Sequence, residues 1–107
     1  MWEEKFNIYD ALVSKCQRFE RKGKDVPSTT ANGRMFSMLN KDGEIGIRFP
    51  KEVQEKYMKA FNTTIYRSYN SVMQGYILIN DEMLKDIDHM AKLLDKSYDY
   101  VMGLPPK

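Results

Sequence analysis

Two turn signals separated by only six residues constrain the first half of this chain. Asn32-Gly33 is a two-residue hairpin signal, because both turn positions need positive φ and these residues tolerate it. Asn40-Lys41-Asp42-Gly43 supplies a second turn. The segment between them, Arg34 to Leu39, is then one strand, and Val26 to Ala31 is a weaker strand before it. Beyond the second turn, Ile45, Ile47 and Phe49 alternate with Glu44, Gly46 and Arg48, the pattern of a half-buried strand. Residues 26–49 therefore read as three short strands.

Helical periodicity flanks this block. Trp2, Phe6, Tyr9, Leu12, Val13, Cys16 and Phe19 recur at three- and four-residue steps, which predicts a helix over 2–20 with Gly23 as its stop. Pro50 suits a first helical turn, and residues 50–61 form a helix with Val53, Tyr57, Met58 and Phe61 inward. Residues 63–68 and 73–79 read as two strands around Tyr69-Asn70-Ser71. Asn80 is an N-cap, and one helix runs from about 81 to 102. Its core stripe is Met83, Leu84, Ile87, Met90, Ala91, Leu94, Tyr98, Val101 and Met102, and Gly103 with Pro105-Pro106 ends it. The order α-β(3)-α-β(2)-α predicts an α+β, two-layer sandwich with a largely antiparallel five-stranded sheet.

A length of 107 residues makes this one domain, residues 1–107. Seventeen Lys and Arg against fifteen Asp and Glu leave a net charge of only +2, a weak footprint for a dedicated nucleic-acid binder. No apolar run is long enough to span a bilayer, so no membrane partner is expected. The acidic N-terminus lacks a leader's apolar stretch, and the single cysteine excludes an internal disulfide; both favour a cytoplasmic setting. One basic stretch stands out: Lys15, Arg18, Arg21, Lys22 and Lys24, with Arg34, Arg48 and Arg67 as further cations.

Catalytic patterns are poorly represented. Cys16 lies on the apolar side of its helix, as a small core residue does. His89 is the only histidine. Glu82, Asp86 and His89 share one helix face at i, i+4 and i+7, yet no second histidine or cysteine cluster completes a metal site. No glycine-rich phosphate loop is present. No enzyme activity, metal or cofactor is expected. Met35, Met38, Met58, Met73, Met83, Met90 and Met102 fall on core or strand positions as gap fillers. Tyr57, Tyr66, Tyr69 and Tyr76 straddle core and surface. Leu93 and Tyr100, with His89 and Lys96 on the same line, lie opposite the core stripe of the last helix and are an expected interface.

Three segments resemble the TfoX N-terminal domain family. Asn32-Gly33-Arg34-Met35-Phe36 is similar to its hairpin motif, and Met73-Gln74-Gly75-Tyr76-Ile77-Leu78-Ile79 to its later strand. Leu104-Pro105-Pro106-Lys107 is similar to the family's closing motif. The family's "MFG" is replaced by Gly23-Lys24-Asp25, and the proline before the second motif by Val72. The resemblance implies a secretion-chaperone-like fold, a bacterial source and a stand-alone, non-catalytic regulatory domain. It also implies that Arg34, Met73, Gln74, Gly75 and Tyr76 form a characteristic surface or core. The expected partner is an unidentified protein or a second copy in a homodimer. Nucleic acid is the disfavoured alternative, with the chain as a weak accessory in transcriptional control through the 15–24 basic stretch.

Overall fold

The computed structural model describes residues 2–23, 25–68 and 70–106. The chain folds as α1 (Trp2–Ser14), β1 (Ser28–Ala31), β2 (Arg34–Leu39), β3 (Ile45–Arg48), α2 (Lys51–Ala60), β4 (Ile65–Ser68), β5 (Ser71–Ile79), α3 (Asp81–Leu84) and α4 (Ile87–Met102). The five strands form one antiparallel sheet in the order β1-β2-β3-β5-β4. The fold is the expected α+β sandwich. Asn32 and Gly33 take the positive φ values, 55° and 74°, that the hairpin turn requires.

The main core lies between the helices and one sheet face. Tyr9, Leu12 and Val13 of α1 meet Phe36 and Leu39 of β2, Ile45 and Ile47 of β3, Ile77 and Ile79 of β5, and Leu94 and Val101 of α4. A bulge in β2 enlarges the apolar contribution of that strand. Thr29 pairs with Ser37 and Thr30 with Met35, which leaves Phe36 as the extra residue. Phe36 and Ser37 consequently both face the helices. Phe36 packs edge-on to Phe19 and Tyr98, and the Ser37 hydroxyl shares hydrogen bonds with Tyr9 and Thr29 in a fully buried trio. Burial pushes the Tyr9 hydroxyl far above its ordinary pKa, so this trio stays neutral.

The other sheet face carries no helix. It has its own small core of Met38, Tyr66 and Tyr76, ringed by Val26, Met35, Met73 and Leu78. Strand spacing of about 4.8 Å would set β4 roughly 10 Å from β3 in a flat sheet. Yet Tyr66 of β4 donates to the Glu44 carbonyl at 2.8 Å, and the Asn40 amide donates to the Arg67 carbonyl at 2.9 Å. The edge strand must therefore curl over the helix-free face. Two glycines permit this. Gly46 lets the Tyr66 ring lie flat on β3, where any Cβ would collide with that ring. Gly75, at φ 83°, sits in a wide bulge: one β4 residue, Tyr66, lies opposite Met73 to Tyr76 of β5.

Asn40 closes the curl. Its backbone carbonyl accepts from Trp2 Nε1 and Gly43 N, its Oδ1 from Asp42 N and Glu44 N, and its Nδ2 donates to Arg67 O and Glu44 Oε1. The residue is 2% exposed.

Four expectations need correction. The first helix ends at Ser14, not at Glu20, because Arg21 pairs with Asp10 at 2.9 Å and Phe19 turns into the aromatic cluster of Phe36 and Tyr98. Gly23 stops no helix; it belongs to the loop that bridges Lys22 to Ser28. The last helix is two helices. The Asp86 carboxylate accepts from His89 N at 3.2 Å and starts α4 afresh, competing with helical continuation through Lys85. The core stripe of α4 is also wider and displaced. Leu93 is 2% exposed and Met102 48% exposed, the reverse of the expectation. The physical reason is that α4 is covered on a flank as well as on its sheet-facing side. His89 stacks edge-on to Phe61 after α2 at 5.9 Å, and Arg48 of β3 lies over the Tyr100 ring at 5.6 Å.

Replacing Asn40 by alanine leaves several buried donors and acceptors unpaired and should lower stability by about 2–4 kcal/mol. Gly46→Ala should cost about 1–3 kcal/mol by forcing Tyr66 off β3. Urea unfolding of both variants, read against Lys56→Ala on the exposed side of α2, checks this.

Candidate functional site

The motif residues Arg34, Met73, Gln74, Gly75 and Tyr76 lie at one end of the sheet. Arg34 opens β2, and Arg48 closes its antiparallel neighbour β3. Tyr76 pairs with Arg48 in register, and its hydroxyl donates to the Met35 carbonyl at 2.7 Å. A Cβ on Gly75 would lie 3.4 Å from Arg48 Cγ, so the arginine stem packs on bare backbone. Phe49 N donates to Gly75 O and Gln54 Nε2 of α2 to Tyr76 O, which fixes the bulge from the helical side. The bulge turns Met73 toward the helix-free core, while Val72 and Gln74 remain exposed, Val72 at 41%.

Arg34, Gly75 and Tyr76 are thus brought together through Met35 and Arg48, with Met73 and Gln74 on the same strand. The sequence alone did not place Met35 and Val72 here. Their signal was present: Val72-Met73 is an apolar pair directly after a turn, where a strand's outer face begins.

Charge is distributed unevenly over the molecule. Lys5 pairs with Asp81, Lys15 with Asp88 at 2.8 Å, Arg18 with Asp99 at 2.8 Å and Asp95 at 3.1 Å, and Arg21 with Asp10. The first four contacts tie α1 and the following loop to α3 and α4, and the Arg21 pair ties that loop back to α1. Arg18 also lies 4.6 Å from the Tyr98 ring and Arg21 4.7 Å from that of Phe6. Of the expected basic stretch, Lys15, Arg18 and Arg21 would each have to leave a carboxylate to reach a phosphate. Lys22 is exposed, and Lys24 lies outside the described residues, as do Tyr69 and Lys107. Arg34 and Arg48 have no carboxylate partner among the described residues.

The other candidates separate in space. Cys16 is buried, with Sγ directed at the Ala91 and Leu12 carbonyls beside an open groove of about 430 Å³. Burial, aided by Asp95, pushes its thiol up to about 11, the opposite of what a nucleophile needs. His89 stands on the far side of α4 with Glu82, Asp86, Phe61, Met83 and Met90 around a cavity of about 260 Å³. Glu82 is engaged by Lys85 and Asp86 caps α4, and no group of three ligating side chains among the described residues is arranged to hold a metal. The expected line of His89, Leu93, Lys96 and Tyr100 is not a free surface. Leu93 belongs to the core and Tyr100 packs against it, which leaves only His89 and Lys96 exposed.

No family model and no curated protein matches this chain. No helix is long and apolar enough to cross a membrane among the described residues.

Two titration experiments follow from this geometry. Cys16 should resist a thiol reagent in the native chain at about pH 8, labelling only as the chain unfolds. Fast native labelling would contradict its burial. Hydrogen bonds from Lys5, Lys15 and Arg18 hold Asp81, Asp88 and Asp99 below the ordinary carboxylate range. Depressed carboxylates stabilise the folded chain above their unfolded pKa, about 3.9, and lose that contribution as pH falls through the folded values. The melting temperature should therefore drop on acidification below about pH 4, and drop less in an Asp88→Asn, Asp99→Asn variant.

Proposed function

We propose that this chain is a non-catalytic interaction domain of a regulatory kind, resembling the TfoX N-terminal domain, in a bacterial cytoplasm. It engages a protein partner, or a second copy of itself, through the sheet end that carries Arg34, Arg48, Val72, Met73 and Gln74. The observation that carries this reading is the contrast between the two sides of the molecule. In the helical layer Lys5, Lys15, Arg18 and Arg21 face carboxylates of this chain, and the large apolar side chain most exposed there is Met102, at the very end of α4. The sheet end keeps two cations, Arg34 and Arg48, without a carboxylate partner among the described residues, and exposes Val72 beside Met73.

Strand addition is the less suited mode. The Lys22 backbone bonds Ser28 on the outer edge of β1, and the Asn40 side chain takes a β4 carbonyl, that of Arg67. Both edge strands are only four residues long. Such edges are blunted against pairing with another chain. Side chains, not backbone ladders, are left to make the contact.

The test uses the purified chain as bait, with sedimentation velocity run in parallel for self-association. Val72→Glu places a charge on an exposed strand position and should leave stability within about 0.5 kcal/mol of the parent. It should abolish the captured partner or the dimer. Identical capture and sedimentation by parent and variant would remove this surface from the function.

A further inference from the structure

Arg34 is held in an incomplete way. Its Nη2 donates to the Pro105 carbonyl at 3.0 Å, while its Nε is buried with no hydrogen-bond partner. Buried donors are nearly always satisfied, so an orphaned guanidinium N–H asks for a reason. A structural role accounts for only part of it. The last turn of α4 carries no basic residue of its own, and Arg34 and Arg48 both reach that end of the helix, where positive charge is favourable. Neutralising a helix end does not require that Nε be left unpaired. The side of a guanidinium formed by Nε–H and one Nη–H is the edge that matches the two oxygens of a carboxylate. In Arg34 the Nη2 amine already donates to the Pro105 carbonyl, while Nε–H is unused.

In the segment 104–106, Leu104 anchors the chain on the core, and the two residues after it are held by little. Pro105 and Pro106 are exposed and have no N–H to donate. The Asn32 amide donates to the Leu104 carbonyl at 2.8 Å, Leu104 N donates to Val101 O, and Arg34 holds Pro105. Lifting Pro105 breaks the one hydrogen bond that Arg34 makes to this segment and frees Nη2 beside the unpaired Nε.

We propose that Arg34, supported by Arg48, is a carboxylate-binding site occluded by the Leu104–Pro106 segment, and that its ligand is a glutamate or aspartate side chain of the protein partner. This rests on the interaction reading above and gives its partner a chemistry. The incoming carboxylate takes Nε–H and the adjacent Nη–H side-on, replacing the single bond to Pro105. Arg48 adds a second unpaired cation from the neighbouring strand, and exposed Val72 and Gln74 on β5 meet the residues flanking the acid.

The arginine Nε–Hε resonances of the full chain report on this directly. N-acetyl-glutamate amide is titrated as the probe, with N-acetyl-glutamine amide and inorganic phosphate as comparisons. The carboxylate should shift the Arg34 cross-peak saturably, with the Leu104 amide moving in parallel as Pro105 is released. Arg34→Lys keeps the charge but lacks the side-on edge, and should weaken the probe about tenfold or more at the Arg48 and Leu104 resonances. If that variant does not fold, Arg48→Lys read at Arg34 serves, with a smaller loss expected. An unmoved Arg34 peak, or an equal response to the glutamine probe, overturns the site. A response to phosphate alone overturns the acidic-partner assignment. Should the site fail while Val72→Glu still abolishes capture, the interaction reading stands without it.

Discussion

The amide of Asn40 holds together parts of the sheet that are not neighbours in it. One side chain fastens the β2–β3 turn to itself and to the Arg67 carbonyl of β4, although β3 and β5 lie between β2 and β4 in the strand order. That contact is geometrically available only because the sheet is curled. The curl in turn depends on the absence of side chains at Gly46 and Gly75. With the curl in place, Tyr66 and Tyr76 stack at 6.0 Å on the helix-free face, and each hydroxyl finds a backbone carbonyl. Burial drives both hydroxyls far above their ordinary pKa, so they act as neutral donors and keep this second core dry of charge. A five-stranded sheet with helices on one face would otherwise leave an apolar face in water. Here the chain covers that face with its own edge strand.

Closing one face decides where contact with other molecules is left. The outer edges of β1 and β4 are each partly engaged by this chain, and the helical layer is stitched by ion pairs that run between α1, the 15–22 loop and α4. These exposed pairs are individually weak. Their effect is on availability: cations that looked free in the sequence already face carboxylates of this chain. At the sheet end Arg34 and Arg48 serve the C-terminus of α4 without a carboxylate partner among the described residues. The same end carries the β5 bulge, so backbone irregularity, unpaired cations and an exposed valine coincide at one place.

The comparison between sequence and structure separates by the range of the interaction involved. The Asn32-Gly33 turn, the alternation of Ile45, Ile47 and Phe49, the Asn80 cap and the burial of Cys16 were legible because each is written within a few residues. The candidate site was half legible. Arg34, Met73, Gly75 and Tyr76 were singled out as a motif, but the motif does not say that Arg48 packs on Gly75 or that Tyr76 reaches Met35. Leu93 shows the limit most clearly. A helical projection sorts residues by one buried face, whereas α4 lies in a corner and is covered on two sides.

The sequence by itself determined the number and order of the strands, the α+β class and the antiparallel hairpins. Local backbone preference and apolar periodicity suffice for those. Only the tertiary structure decided the β2 bulge that turns Phe36 and Ser37 to the same side, the curl of β4, the break at Asp86 and the pairing of the basic stretch. Each of these sets a local preference against a contact with a residue far away in the chain. The balance is fixed by packing volume and by the cost of leaving buried polar groups unpaired, and neither quantity is contained in any short window of sequence.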